Sequence, residues 1–357
     1  MRTLVVAALV LVGCSQPSAA QEDTRRVLLQ KLGEQIFLPQ YVEFEQRAAD
    51  VRATADALCE NPSEETLGAA RDAWWAARAP WKRNETVAFG PYATPDSYGA
   101  AIDFWPCRQE SVDTVLAGTD SIDPALLGAA AKGLPAMEYL LWDPERDLVA
   151  ESEPGSRRCE YVAAVGKDLA DDATAIRAAW DPAEGDFLGE LVEAGRGSKK
   201  YKSIEMSLGA VINQMLTDLE AARDDKLGKP LGNTTEGMPL VEEVESRFSA
   251  RSLEDLRDSL RGVEAVCFGA NVEGAQSLAS YLEGIGRDDI VPELRDALDA
   301  SYAAIDAIPE PLTESVVESP ELVQGAIDSI KVVQVLISAD VINAMGLMLT
   351  FTDADND

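Results

Sequence analysis

The stretch that decides the fold is IEMSLGAVINQMLTDLEAA, residues 204–222, in which apolar side chains recur every three or four positions. This spacing is the period of an α-helix that buries one face. It recurs in the segments that begin at Tyr41, Leu253 and Ile290, whereas the alternating pattern of a half-buried strand is missing. We therefore predict an all-α protein whose long helices pack in bundles.

Turn-forming residues divide the predicted helices into two groups. The segment 228–239 is the most polar and glycine-rich of the breaks, so we place a domain boundary there. The predicted domains are residues 24–232 and residues 233–357, each with about four helices, which gives two packed four-helix bundles. The very apolar segment 320–350 still contains closely spaced polar residues such as Lys331, and this pattern favours a buried core helix over a membrane span.

The first residues have the features of a processing signal. Residues 1–14 contain a positively charged Arg2, an apolar stretch and the sequence LVGC, which ends at Cys14. This pattern favours a bacterial lipoprotein in which Cys14 carries acyl chains such as palmitate and anchors the protein to a membrane, with an ordinary secretory signal as the alternative. Ser15, rather than Asp, follows the cysteine, which favours the outer membrane. We expect a periplasmic, cell-envelope location and a flexible tether over residues 15–23.

Four cysteines remain if Cys14 is acylated. An even number in an exported chain favours disulfides, and the three possible pairings stay open at the level of sequence. No pair has the C-x-x-C spacing and the chain contains no histidine, so a zinc site is not expected. The disulfide candidates are Cys59, Cys107, Cys159 and Cys267.

The chain is strongly acidic. Its 31 basic and 63 acidic residues give a formal net charge of -32, a field that repels nucleic acid and anionic lipid. The run from Arg196 to Lys202 is basic and is predicted to be a loop, but it is too short to indicate a nucleic-acid site.

Two helical segments carry candidate functional residues. In the first, Arg78 and Glu85 are seven positions apart and share a helix face, with Trp81 between them. Such a set can line a polar pocket, although buried tryptophans with a surface ion pair would give the same pattern. In the second, Pro135 suits the first turn of a helix, and Glu138 lies one turn later, near the positive end of the helix dipole. A capping carboxylate is the alternative for Glu138.

Ser246 and Arg247 lie just before the helix predicted from Ser252, where they could either cap that helix or bind a ligand. No nucleophilic triad is available, because Ser–His–Asp and Cys–His systems need an imidazole that this chain lacks. The acidic run 353–357 lacks the turn glycine and distal glutamate of an EF-hand.

Taken together and in this order, several motifs resemble the imelysin family along nearly the whole mature length. The resemblance implies a double four-helix bundle and an exported, often lipid-anchored protein. Family members are associated with iron uptake, and some have been described as peptidases. The matching motifs are AWWAARAPW (73–81) with FGP (89–91), IDFWP (102–106), GLPAMEYLLW (133–142), RCEY (158–161), DKLGKPL (225–231), ESRFS (245–249) with SLEDL (252–256), and the acidic C-terminus.

The family motif Gly-x-His-x-x-Glu falls on Gly133, Pro135 and Glu138, so a proline stands at the position of the metal-binding histidine. Glu138 alone would need other carboxylates or waters to hold a metal, with iron as the cofactor that the resemblance suggests. A metallopeptidase, which needs a tightly held metal and an activated water, is not expected. By the resemblance, the ligand-binding residues are Arg78, Trp81, Glu85, Gly133, Glu138, Ser246 and Arg247.

These observations predict a non-enzymatic, lipid-anchored binding protein in iron uptake. Its expected partners are the membrane, through Cys14, and membrane proteins of iron uptake, but not nucleic acid. The alternatives are a peptidase of the imelysin type and a metal-free scaffold for a membrane transporter.

Overall fold

The computed structural model describes residues 19–93, 97–269 and 275–347, which form helices and contain no strand. The predicted all-α fold is therefore confirmed. The first half contains α1 (Ala19–Leu32), α2 (Leu38–Glu60), α3 (Glu64–Arg83), α4 (Tyr98–Ile102), α5 (Gln109–Ala117), α6 (Gly133–Trp142), α7 (Arg157–Trp180) and α8 (Phe187–Val192). The second half contains α9 (Ile204–Glu220), α10 (Lys229–Leu231), α11 (Ser252–Phe268), α12 (Leu278–Gly284), α13 (Ile290–Asp306), α14 (Leu312–Glu318), α15 (Pro320–Val335) and α16 (Ile342–Met345).

Short segments of other helical types join or extend these helices. Three π-helical segments continue the preceding α-helices: Gly33–Phe37, Ala221–Gly228 and Leu336–Val341. The 3-10 turns are Asn84–Val87, Gly90–Tyr92, Pro124–Leu126, Ala129–Ala131, Ala150–Ser152 and Val241–Glu243.

Serine side chains fix where several long helices begin. The Oγ atom of Ser63 accepts a hydrogen bond of 3.2 Å from the backbone N–H of Thr66, and the Thr66 hydroxyl accepts one of 3.1 Å from the N–H of Ser63. This capping box satisfies two backbone donors at the start of α3. Ser156 and Ser203 cap α7 and α9 through the N–H groups three residues later.

The helix α3 is central in the packing and positions the candidate site. It packs against α2, α6 and α11, while α2 packs along both α3 and α7. Tyr41, Phe44 and Val51 of α2 are fully buried in this core. Because α3 contacts helices from both halves of the chain, its polar face meets residues that are distant in sequence.

Helices on the two sides of the predicted boundary pack directly against each other. The helix α11 packs on α3, and α15 packs on α9 and on the segment Ala221–Gly228. The buried apolar residues form one continuous core across residues 232 and 233. The division into domains 24–232 and 233–357, and into two four-helix bundles, stays a prediction.

The N-terminal helix starts earlier than expected. The tether was predicted over residues 15–23, but α1 begins at Ala19, so residues 19–23 are helical. The physical reason is that this run contains good helix formers and places Glu22 near the positive end of the helix dipole. The signal segment with Cys14, and residues 15–18, lie outside the described residues.

One disulfide joins Cys59, at the end of α2, to Cys159, at the start of α7, with a Cα–Cα distance of 5.3 Å. Cys107 and Cys267 are unpaired, which corrects the expectation that all four cysteines pair. A disulfide needs closely apposed Cα atoms. Cys267 instead lies fully buried in the core of α11, whereas Cys107 is half-buried beside Glu138.

The apolar C-terminal segment is helical from Pro320 to Met345 and ends at Gly346, which adopts a φ of +62°. Among the described residues, no helix is both long enough and apolar enough to cross a bilayer. The predicted end at Thr350 and the acidic run 353–357 lie outside the described residues.

Candidate functional site

The candidate site is built on two buried cations of α3. Arg78 and Lys82 are one helical turn apart, and each is only 1% exposed. Burying two adjacent positive charges is costly unless carboxylates surround them. The surrounding carboxylates come from α11 and from the irregular segments that follow α4 and Val241–Glu243.

Three carboxylates surround the Arg78 guanidinium. Its Nη1 atom lies 2.8 Å from Asp103, and its Nη2 atom lies 3.0 Å from Glu245 and 2.6 Å from Asp255. The guanidinium also lies 5.6 Å from the ring centre of Trp74. These contacts use the fork geometry of arginine, which a lysine could not reproduce.

Lys82 and Lys226 extend the same cluster toward Glu85. The Lys82 Nζ atom lies 2.7 Å from Glu85 and 3.0 Å from Asp103, and it also contacts Glu245. The Lys226 Nζ atom lies 2.6 Å from the other oxygen of Glu85. The carboxylates are thus shared between cations rather than paired one to one.

Arg251 closes the cluster on the side of α11. Its guanidinium contacts Asp255 and lies 2.7 Å from Asp258, and it stacks 5.2 Å from the ring centre of Trp75. We call the whole cluster the ion network. Its members are Arg78, Lys82, Lys226, Arg251, Glu85, Asp103, Glu245, Asp255 and Asp258.

Neighbouring cations favour the ionised form of three carboxylates of the ion network, Glu85, Glu245 and Asp255. Burial by itself raises the pKa of Glu85, but Lys226 and Lys82 outweigh it and lower this pKa to about 2. Burial also opposes ionisation of Glu245, yet Lys226, Lys82 and Arg78 hold its pKa well below the usual range. The pKa of Asp255 is likewise lowered by Arg78 and Arg251 against the effect of burial.

Asp218 of α9 behaves in the opposite way. Burial and the negative charge of Glu85 raise its pKa well above the ordinary value, and a hydrogen bond with Glu85 further favours the protonated form. These effects favour the protonated form of Asp218 beside the ion network.

Glu138 lies outside the ion network although it is only 3% exposed. One of its carboxylate oxygens accepts hydrogen bonds from the N–H of Ser249 at 2.8 Å and from the Ser249 Oγ at 2.7 Å. Burial raises the pKa of Glu138 to about 7, because the bonds from Ser249 and the more distant charge of Arg78 only partly compensate.

The start of α6 explains how Glu138 is held there. Gly133 adopts a φ of +73°, and a Cβ atom at this position would lie 2.4 Å from the carbonyl oxygen of Ile102. Only glycine fits this close approach. Pro135 follows in the first turn of α6, where its missing N–H is not needed.

A small pocket separates Glu138 from the ion network. Its volume is about 10 Å³, which is room for about one water molecule. It is lined by Trp74, Arg78, Asp103, Trp105, Pro106, Cys107, Pro135, Glu138, Glu242, Val244, Glu245, Ser246, Arg247 and Phe248. We call this space the inner pocket.

A larger cavity of about 460 Å³ adjoins the inner pocket, and we call it the outer cavity. Cys107, Glu242 and Arg247 line both spaces. The Arg247 guanidinium lies 3.0 Å from the side-chain oxygen of Gln109 and 4.6 Å from the ring centre of Phe248, so it stands at the boundary between them.

Four of the seven residues predicted to bind a ligand line the inner pocket: Arg78, Glu138, Ser246 and Arg247. Ser246 adopts an unusual φ of +48°, and its hydroxyl donates to Asp255. Ligand binding by these residues stays a prediction.

The other three predicted residues do not line the inner pocket. Trp81 is 2% exposed, donates from Nε1 to Asp103 at 2.8 Å and stacks 5.5 Å from the ring of Tyr92, so its contacts are those of a core residue. Glu85 faces the two lysines of the ion network. Gly133 acts through its backbone.

Sequence reasoning missed the role of several residues of the site. Lys82 could have been found, because it lies four positions after Arg78 and three before Glu85 on one helix face. Asp255 and Asp258 likewise follow Arg251 at helical spacing. A single sequence contains no signal that these residues of α11 lie against α3. The other residues missed are Asp103, Lys226, Glu245 and Ser249.

These residues do not fit a resident metal ion. Pro135 offers no ligand atom, and Glu138 is the one family-motif ligand that remains. The nearby Asp103, Glu245 and Asp255 are each in contact with arginine or lysine, so binding a metal through them would require those cations to leave. Within ranges 19–93, 97–269 and 275–347, no group of three or more His, Cys, Asp or Glu side chains is arranged to hold a metal.

Solved structures share this architecture. A candidate iron-regulated protein A precursor from Parabacteroides distasonis superposes with a TM-score of 0.78 and 19% identity, over 93% of this chain and 96% of that one. An imelysin-like protein from Psychrobacter arcticum superposes with a TM-score of 0.77 and 18% identity, over 95% and 100% of the two chains. At these identities the likeness concerns the fold.

Sequence comparison identifies the family. The chain is 27% identical over 292 residues to iron-regulated protein A of Synechococcus elongatus. The aligned region covers 80% of this chain and 76% of that protein. Residues 37–336 match the family model described as imelysin, Peptidase_M75. This match spans most of the chain, and the chain therefore belongs to the imelysin family.

Proposed function

We propose that this chain is a non-enzymatic binding protein of the bacterial cell envelope that works in iron uptake, anchored through an acylated Cys14. The name of the Synechococcus relative, iron-regulated protein A, supports the link to iron. The LVGC sequence ending at Cys14 supports the anchor.

The main support for a non-enzymatic role is that the carboxylates of the ion network already form ion pairs with arginine and lysine. A metallopeptidase needs a firmly held metal with an open position for water. Here Pro135 replaces one ligand, and the carboxylates beside Glu138 already neutralise Arg78 and Lys82. A space of about 10 Å³ next to Glu138 also leaves no room for a peptide bond and its neighbours. Binding is thus better supported than catalysis.

The outer cavity is the better candidate for contact with an iron species or a protein partner. It is large enough for a small ligand, and Arg247, Arg108 and Tyr139 offer donors there. Glu242 and Glu243 add acceptors, so the cavity suits a ligand with both kinds of group. In this proposal Glu138 lies behind the lining of the outer cavity and holds Ser249 in place by accepting its two hydrogen bonds.

Growth under iron limitation tests this function. We expect that deleting the gene slows growth of the host bacterium when iron is scarce, and that wild type and Glu138→Gln both restore it, because Glu138 does not hold iron. Normal growth of the deletion strain would remove the link to iron uptake. Failure of a folded Glu138→Gln variant would mean that Glu138 is itself a ligand.

A cleavage assay tests the non-enzymatic part separately. Purified protein is incubated with an unfolded substrate such as casein, with and without a chelator. The proposal expects the substrate to remain intact in both samples. Cleavage that the chelator abolishes would identify a metallopeptidase instead.

A further inference from the structure

The loop between α8 and α9 is a local exception in this acidic protein. Residues 195–202, which we call the basic loop, carry four cations within seven positions in a chain whose net charge is -32. All four side chains are exposed. They are Arg196, Lys199, Lys200 and Lys202.

The basic loop has a defined shape that a carboxylate on α8 holds. Glu190 accepts hydrogen bonds from the Ser198 hydroxyl at 2.6 Å and from the backbone N–H groups of Lys199 and Lys200 at 2.6 and 3.2 Å. The backbone N–H of Gly195 donates to the carbonyl of Tyr201 at 3.2 Å, which closes the loop. The carboxylate of Glu190 therefore binds groups of the loop backbone and Ser198. The side chains of Lys199, Lys200 and Lys202 are exposed, and the Lys200 ammonium lies 5.0 Å from the ring centre of Phe187.

The basic loop lies beside the first turns of α1. Arg196 forms an ion pair of 2.5 Å with Asp23, and Arg26 donates to the carbonyl oxygen of Ala194 at 3.1 Å. The helix α1 begins at Ala19. Cys14 is five residues earlier in the sequence, and five residues can span at most about 18 Å. The loop is thus held close to the place where a lipid on Cys14 would fix the chain.

We propose that the basic loop is the membrane-facing surface of the anchored protein and binds the phosphate groups of anionic lipids. This inference rests on the anchoring at Cys14 that forms part of the proposed function. The molecule as a whole is repelled by an anionic bilayer, so an anchored copy lowers its energy by turning a cationic surface toward it. Only charges within about 10 Å of the bilayer contribute, and each basic residue there strengthens binding about fivefold.

Vesicle sedimentation tests the basic loop without the lipid anchor. The protein form that begins at Ser15 keeps every described residue and lacks Cys14. At low ionic strength we expect it to sediment with phosphatidylglycerol vesicles but not with phosphatidylcholine vesicles. The Lys199→Gln, Lys200→Gln, Lys202→Gln variant is expected to bind on the order of 100-fold more weakly, since three cations are lost.

Two control variants make the result specific to the loop. Arg47→Gln, Lys167→Gln and Lys331→Gln remove three positive charges from other exposed positions, and this triple variant should bind as wild type does. Replacing the three loop lysines by arginine keeps the charge and should also keep the binding. The proposal is wrong if the wild-type protein does not bind phosphatidylglycerol vesicles. It is also wrong if the triple variant of the loop lysines and the triple variant at the distant positions lose affinity equally.

The anchor itself is tested separately by incorporation of labelled fatty acid into the full chain and into its Cys14→Ser variant. Because the vesicle experiment uses a form without Cys14, a failure of acylation and a failure of the basic loop give different results.

Discussion

Glu138 is a carboxyl group held where ionisation is unfavourable. The family motif supplies a histidine three positions earlier, but Pro135 stands there in this chain. The Glu138 carboxyl instead accepts two hydrogen bonds from Ser249. Glu138 matches one of the two metal ligands of the family motif, but here it forms a buried contact between α6 and the segment before α11.

The raised pKa of Glu138 predicts how the residue affects stability. In the unfolded chain this carboxyl ionises near pH 4.5, whereas in the folded protein it ionises near pH 7. Between these values the folded state keeps a proton that the unfolded state has lost, so stability falls as pH rises through this window. We expect Glu138→Gln, relative to wild type, to gain on the order of 3 kcal/mol of unfolding free energy between about pH 4.5 and pH 8. Urea unfolding at several pH values measures this difference in unfolding free energy. A difference between the two proteins that stays constant with pH would contradict the raised pKa of Glu138.

Arg78 carries a second prediction at this scale. Replacing it with alanine leaves Asp103, Glu245 and Asp255 buried without their shared cation, so we expect a loss of about 3–5 kcal/mol of unfolding free energy. Arg287→Ala is the control outside the ion network. That arginine donates two hydrogen bonds to Asp289, but its side chain is 38% exposed, and its loss should change the unfolding free energy far less than the loss of Arg78. Equal effects of the two substitutions in urea unfolding would show that the ion network contributes little.

At the scale of elements, the start of α6 depends on one glycine. We expect Gly133→Ala to destabilise the protein by on the order of 3 kcal/mol, because the positive φ is strained for alanine and the new Cβ meets the carbonyl of Ile102. Gly237→Ala separates the two causes. Gly237 also has a positive φ, of +87°, but has open space around it, so its substitution should cost only about 1 kcal/mol. Thermal unfolding of both variants separates the effect of the positive φ from the effect of the close contact. Similar losses of stability would mean that the close contact at Gly133 is unimportant.

Much of the helical framework could be predicted from the sequence, but the site could not. Residues 204–222 form a helix as expected because their apolar spacing reports burial of one face, and Ser203 caps it. The contact of Arg78 with Asp255 joins residues 177 positions apart, which helical periodicity does not encode. The absence of a histidine at Pro135 was visible in the sequence. The engagement of the neighbouring carboxylates by lysine and arginine required the structure.

At the scale of the whole molecule, the ion network joins the two halves of the chain. Arg78 and Lys82 belong to the first half, and Glu245 and Asp255 belong to the second. The cluster therefore stabilises the packing of α3 on α11, next to the position where the family motif places a metal. In this account the family fold is retained, and its polar centre is held by ion pairs rather than by a metal.

Calorimetric titration of the form that begins at Ser15 with Fe(II) tests this account most directly. Wild type and its Glu138→Gln variant are titrated side by side, with Pro135→His as the variant that restores the missing ligand. We predict no saturable binding by wild type that depends on Glu138, so wild type and Glu138→Gln should give the same heats. One-to-one binding by wild type that Glu138→Gln abolishes would show that the site holds a metal despite Pro135, and would contradict the account.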